Sequence, residues 1–156
     1  MGTTGAGKTT IGTMLATQLD WQFVDADTFH PPANVEKISH GIPLNDADRA
    51  PWLEAMRNAI LEWTAAGKNM VLACSALKRV YREELRPSPE VKIIYLKGDY
   101  ALFAERIRHR HGHFAGEGIL AGQFADLEEP MDGITIDAAK PPEEIVAEIR
   151  KQLALA

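Results

Sequence analysis

A single cysteine, Cys74, occurs in the 156 residues. An intramolecular disulfide framework is thereby excluded, and the chain suits a reducing compartment. No apolar run approaches the roughly 18 residues of a membrane helix, and no stretch has the layout of a signal peptide. The cytoplasm is the expected location. Dense positive charge is also missing. The net charge is −5, and the one basic run, Arg106 to Arg110, is short, so neither a nucleic-acid partner nor a membrane is indicated. Small anionic ligands held by local arginines fit this balance better. Internal repeats and low-complexity tracts are absent as well. What is present is the composition of one globular α/β domain, 46% hydrophobic and 25% charged, long enough to bury a core. One domain spanning 1–156 is expected, with one mobile insertion.

The most informative stretch is Gly2-Thr3-Thr4-Gly5-Ala6-Gly7-Lys8-Thr9, which satisfies every fixed position of the phosphate-binding pattern G-x-x-x-x-G-K-[ST]. Its glycines permit positive φ, so successive N–H groups can point into one anion-binding concavity. Lys8 is placed to sit between the β and γ phosphates, and the Thr9 hydroxyl is the usual Mg²⁺ ligand. Ile11, Met14, Leu15 and Leu19 then keep helical spacing, which turns a helix N-terminus toward the phosphates. Such a loop ordinarily follows a buried parallel strand, yet only Met1 precedes it here. About five buried apolar side chains contribute roughly 1.5–3 kcal/mol each, comparable in sum to the whole net stability of a domain, about 5–15 kcal/mol. The expectation is therefore a chain truncated or mis-started ahead of Met1, lacking its first strand.

Trp21-Gln22-Phe23-Val24 alternates and reads as a short strand ending at Asp25-Ala26-Asp27, whose two carboxylates share a face if the segment is extended. His30-Pro31-Pro32 opens a short helix through Asn34 to Ser39, terminated by Gly41. Asn45 to Asp48 supply cap candidates, with Pro51 expected in the permitted first turn. Leu53, Met56, Ile60 and Trp63 carry a long helix up to Gly67. The near-continuous apolar run Asn69 to Cys74 is a buried parallel strand. A helix bearing Tyr81, Arg82 and Leu85 follows, then a strand at Val91 to Leu96 and a helix marked by Leu102, Phe103 and Ile107. Gly112, Gly116, Gly118 and Gly122 break the pattern, so approximately 108–127 reads as a lid. Ile134 to Asp137 is the last strand, and Glu143 to Leu153 the last helix. Alternation of this kind implies a parallel sheet with helices on both faces, and ligands at the carboxyl ends of its strands.

Phosphoryl transfer needs a clamp on the phosphates, a metal, positive charge and a way to present the acceptor hydroxyl. Asp25 and Asp27 are candidates to orient Mg²⁺-bound water and to accept a hydrogen bond from that hydroxyl, or act as base; either can instead cap the following helix. Arg106 and Arg110, four apart, share a helix face and can close onto phosphate oxygens, or form a solvated face pairing with Glu105. Arg49, Lys78 and Arg82 stand near the ligand edge as candidates for a substrate carboxylate, with ordinary helix surface as the competing reading. Trp52 and Trp63 read as core. His109, His111 and His113 read as solvated lid residues rather than metal ligands, because Gly112 interrupts the helix that would align them.

Taken together, these blocks resemble the gluconate kinases, small P-loop kinases akin to shikimate kinase and the nucleoside monophosphate kinases. The likeness covers nearly the whole chain. It runs through the loop, Asp25 to Pro31 with Asn34 and Lys37, Gly41 to Leu53, Cys74 to Lys78 with Tyr81 and Arg82, Tyr95 to Gly98, Arg106 to Phe114, and Gln123-Phe124. The resemblance implies a P-loop NTPase fold and ATP- and Mg²⁺-dependent phosphorylation of the C6 hydroxyl of D-gluconate, a small sugar acid. By the same likeness, Lys8, Asp27, Arg106 and Arg110 are catalytic, Thr9 and Asp25 serve the metal, and the loop through Thr10, with Arg106 and Lys140, holds ATP. Asp27, His30, Arg49, Lys78, Arg82, His113 and Gln123 contact gluconate. A homodimer is the weaker implication. Two rivals remain at this point: a kinase of another small hydroxy acid, and a nucleotide-binding module without activity.

Overall fold

The loop feeds directly into helix α1 (Lys8–Leu19), whose apolar residues Ile11 and Leu15 are buried. Gly7 stands at the helix N-cap with φ of 94°, in the left-handed region that a glycine enters without a Cβ penalty. The computed structural model describes residues 1–111 and 117–155. Strand β1 (Gln22–Asp25) follows and runs into a 3₁₀ turn (Ala26–Phe29), then α2 (Pro32–Ser39). Helix α3 (Asp46–Ala65) begins with a capping box in which Asn45 and Asp48 exchange side-chain-to-backbone bonds of 2.8 and 3.0 Å. Because α3 starts at Asp46, Pro51 lies in the second turn rather than the first; having no N–H, it forgoes the bond to the Ala47 carbonyl.

Strand β2 (Met70–Ala73), α4 (Arg79–Leu85), β3 (Ile94–Lys97), α5 (Tyr100–His111), α6 (Glu117–Asp126), β4 (Ile134–Asp137) and α7 (Pro142–Gln152) complete the order. All pairing is parallel, as the alternation requires, but the expected single sheet is two strand pairs. Gln22 of β1 lies opposite Met70 of β2, and Ile94 of β3 opposite Ile134 of β4. No strand among the described residues joins β2 to β3. The backbone at Met1 and Gly2 reaches both sides: the Leu96 N–H donates to the Met1 carbonyl at 3.0 Å, and the Gly2 N–H to the Ser75 carbonyl at 3.3 Å. Beside this bridge lies an apolar cavity of about 540 Å³, lined by Ile11, Leu15, Val71, Leu72, Ile94 and Leu96 among others.

Two cores flank that division. One gathers Ile11, Leu15, Leu96, Phe103, Ile107, Ile136 and Val146 under α1, α5 and α7. The other gathers Trp52, Met56, Ile60, Tyr81 and Leu85 where α3 meets α4. Helix α1 approaches β1 closely because position 12 is glycine: a Cβ there would stand 2.7 Å from the Phe23 ring. The second half of the stretch expected as a lid is helical. Residues 117–126 form a helix in which Leu120 is fully buried and Phe124 packs on the first core, against Phe103. Among the described residues no helix is long and apolar enough to cross a membrane.

Candidate active site

The carboxyl ends of β1 and β2 open onto a cavity of about 430 Å³. One wall is the loop, with Thr4, Gly5, Gly7, Lys8, Thr9 and Thr10. Facing it are Asp25, Asp27 and His30 from the end of β1 and its turn, Arg49 and Trp52 from α3, Tyr81 from α4, and Arg110 and Gln123 from α5 and α6. Thr3 and Ala6 point inward instead, each 1% exposed, and back the loop from the core.

The Lys8 ammonium donates to the Gly2 and Thr3 carbonyls at 2.9 and 3.0 Å. Burial pulls its pKa below the ordinary value, while the carboxylates of Asp27 and Asp25 are among the charges that oppose the shift. Gly5 has φ of 83° and its Cα faces Phe103 of α5 so closely that a Cβ would meet the Phe103 carbonyl at 3.0 Å. The loop is thus fitted against α5 as well as against α1. Gln123 adds a third support, its side-chain carbonyl accepting the Thr4 N–H at 2.6 Å.

The two aspartates separate in role. Asp25 caps the 3₁₀ turn, accepting the Asp27 N–H at 2.9 Å, and not the helix α2 near His30, whose N-cap is Pro31. Asp27 gives its carbonyl to the His30 N–H and presents its carboxylate to the cavity. His30 is stacked on Trp52, with ring centroids 4.6 Å apart and planes 11° from parallel, and its Nδ1 meets the Asn34 amide at 3.2 Å. Burial lowers its pKa, which favours the neutral imidazole near pH 7. Trp52 donates its indole N–H to the Ala26 carbonyl at 2.8 Å, so this core residue also fixes the turn that carries Asp27.

The cations do not all arrive where the spacing placed them. Arg49 lines the cavity and donates to the Tyr81 hydroxyl at 3.1 Å. Lys78 stands outside the lining, 3.9 Å from Asp46. Arg82 is buried, donating to the Ala76 and Leu77 carbonyls at 2.9 and 3.0 Å; it braces the turn after β2 rather than facing a ligand. Arg110 lines the cavity, whereas Arg106 lies behind the loop, donating to Gly5 and Ala138 carbonyls at 3.2 and 2.6 Å. Lys140 is ion-paired with Glu148 at 3.1 Å outside the cavity. His113 lies outside the described residues. Trp52, read as core from its helical apolar spacing, is buried and also lines the cavity wall, and Tyr81, read from the sequence as a residue of the helix after β2, lines it too.

Thr9, Asp25 and Asp27 offer hydroxyl and carboxylate oxygens, the hard donors that suit Mg²⁺. No cluster of three or more His, Cys, Asp or Glu side chains among the described residues makes a ready-made cage. That fits a cation held by one or two protein oxygens together with substrate phosphates.

A backbone cradle with a half-buried lysine, opposite an aspartate that lines the same space, is the arrangement of the P-loop kinases, and that is the class to which this fold and site assign the chain. The family model for shikimate kinase matches residues 4–154. A gluconokinase of Gluconobacter oxydans is 44% identical, over 96% of this chain and 86% of that protein. The thermoresistant gluconokinase of Escherichia coli is 41% identical, over 94% and 87%. The crystal structure of a gluconokinase from Sinorhizobium meliloti superposes with a TM-score of 0.86 at 41% identity, covering 99% of this chain and 89% of that one. The chain belongs to the gluconokinase family of P-loop kinases.

Proposed function

We propose that the chain transfers the γ-phosphoryl group of ATP to the C6 hydroxyl of D-gluconate, giving 6-phospho-D-gluconate and ADP. The observation that carries this reading is the single cavity in which the phosphate loop, Asp27 and Arg49 face one another. The phosphate chain of ATP lies along the loop, with Lys8 turning from the Gly2 and Thr3 carbonyls to the β and γ oxygens. The acceptor hydroxyl oxygen attacks the γ phosphorus as the bond to the β–γ bridging oxygen breaks, and Asp27 takes the hydroxyl proton. Mg²⁺, when bound, neutralises charge on the β and γ oxygens. Thr9 is the residue to hold it directly and Asp25 to orient its water.

Arg110 is the cation available to the migrating phosphoryl group, and Arg106 acts through the loop by holding the Gly5 carbonyl. Lys140 sits in the turn after β4 as the candidate for the adenine end. The acceptor extends from Asp27 toward His30, Trp52 and Arg49, with Gln123 on the α6 side; His113, a further candidate contact, lies outside the described residues. Identity of 41–44% to gluconokinases favours gluconate over shikimate, since shikimate kinases of known structure share 18–20% and support the fold alone. Homodimer formation and residence in the cytoplasm complete the reading; light scattering checks the first.

The test is a coupled assay of ADP release with Mg²⁺-ATP and D-gluconate, shikimate, nucleoside monophosphates and a panel of sugar acids. Turnover with gluconate well above the other acceptors is expected. Turnover with shikimate or a nucleotide and none with gluconate overturns it.

A further inference from the structure

Resting on that reading of the acceptor, the geometry points to Tyr81 as the positioning residue that sets Arg49 as the anchor for the acceptor's carboxylate and so makes the site selective for acids over neutral polyols. Tyr81 is the hub of a cluster joining the starts of α3 and α4. Its hydroxyl donates to Asp46 at 2.6 Å and accepts from Arg49 at 3.1 Å. The same ring carries both cations on it, Arg49 at 5.8 Å and Lys78 at 5.7 Å from the centroid. Asp46 lies 3.5 Å from Arg49 and 3.9 Å from Lys78. One phenol therefore fixes two positive charges and the carboxylate that balances them.

The hub is rigid where it needs to be and open where a ligand enters. Tyr81 is 9% exposed and packed in the core under α3 and α4. Arg49 and Lys78 keep about a quarter to a third of their side chains exposed, at 26% and 31%. Arg49 and Tyr81 share the cavity wall with Asp27, His30 and Trp52. A linear acceptor whose hydroxyl meets Asp27 thus has a cationic end wall for its other terminus. Two cations beside one compensating carboxylate leave a net positive charge there, which an acid complements and a polyol does not. An arginine whose direction is fixed beforehand loses less freedom on binding.

The test compares D-gluconate with D-glucitol, a neutral polyol of the same carbon count, in the unsubstituted chain and in Tyr81→Phe, which keeps the ring and removes the hydroxyl. Expected for Tyr81→Phe is a rise of about tenfold in KM for gluconate, with kcat and the KM for ATP within about twofold and glucitol turnover unchanged. The penalty is expected to vanish in an Arg49→Ala background, because Tyr81 acts through Arg49. An unchanged acid-to-polyol ratio in Tyr81→Phe overturns the proposal, as does an equal penalty with and without Arg49. Loss of kcat on both acceptors assigns Tyr81 to general structure and also overturns it. If the parent chain prefers a different acid, the same ratio is read on that acid and its alcohol, so failure of the gluconate reading is told apart from failure of the hub. If it accepts no acid, both fall.

Discussion

Two cavities of this protein both take Lys8 of the phosphate loop into their lining and are held in opposite ways. The one of about 430 Å³ at the strand ends is walled by side chains that fix each other: Gln123 on Thr4, Arg106 on Gly5, Trp52 on Ala26. The one of about 540 Å³ between β2 and β3 has largely apolar walls, and backbone bonds from residues 1 and 2 run beside it. Precision at the site is therefore local, built from bonds between the loop and the helices above the strands. Cohesion of the sheet beneath it is a separate matter. The chemistry and the stability of this chain can be perturbed independently.

Lys8→Ala removes the cation of the upper cavity's phosphate loop, although Lys8 also borders the lower one, and carries the largest expected effect. It should lower kcat by about 10²–10³-fold, with cooperative thermal unfolding retained; near-normal turnover would refute the loop assignment. Asp27→Asn is expected to cut kcat by about 10²-fold while leaving the KM for ATP nearly unchanged. An unaltered kcat in steady-state assays would reduce Asp27 to a turn residue. The lower cavity is addressed by fusing a five-residue apolar strand ahead of Met1. Each apolar side chain buried there stabilises by roughly 1.5–3 kcal/mol before ordering costs, so calorimetry should show Tm rising by more than about 5 °C. A Tm that stays level would show that the space between β2 and β3 does not accept a strand. Smallest is Lys140→Ala, which removes an exposed pair with Glu148. Stability should change by less than about 1 kcal/mol, and any effect on ATP should be confined to KM.

Much of this was legible in the sequence because the local signals agree with one another. The loop pattern, the Asn45 and Asp48 caps and the apolar spacing of α3 are each set within a few residues, and the structure follows them. Helix α6 was not legible: Gly118 and Gly122 argue against a helix, and what outweighs them is burial of Leu120 and packing of Phe124 on Phe103, contacts made with distant parts of the chain. The division of the sheet was equally hidden, since pairing between strands far apart in sequence leaves no periodic trace. At the site, Arg106 and Arg110 share a helix face, but one turn of rise puts one behind the loop and the other in the cavity. Arg82 and Tyr81 show the converse. Adjacent on one short helix, the charged residue is buried as a brace while the aromatic one reaches the cavity wall.

The stacking of Trp52 on His30 also gives the protein an optical signal of its own. An indole in face-to-face contact with an imidazole, both lining the cavity that Arg49 also lines, has an emission sensitive to the charge and solvation of that ring. Displacement of water by an acceptor, or protonation of His30, alters the fluorescence of a residue fixed to the same turn that carries Asp27. Acceptor occupancy can therefore be followed by intrinsic fluorescence without a label, in the absence of nucleotide and of turnover.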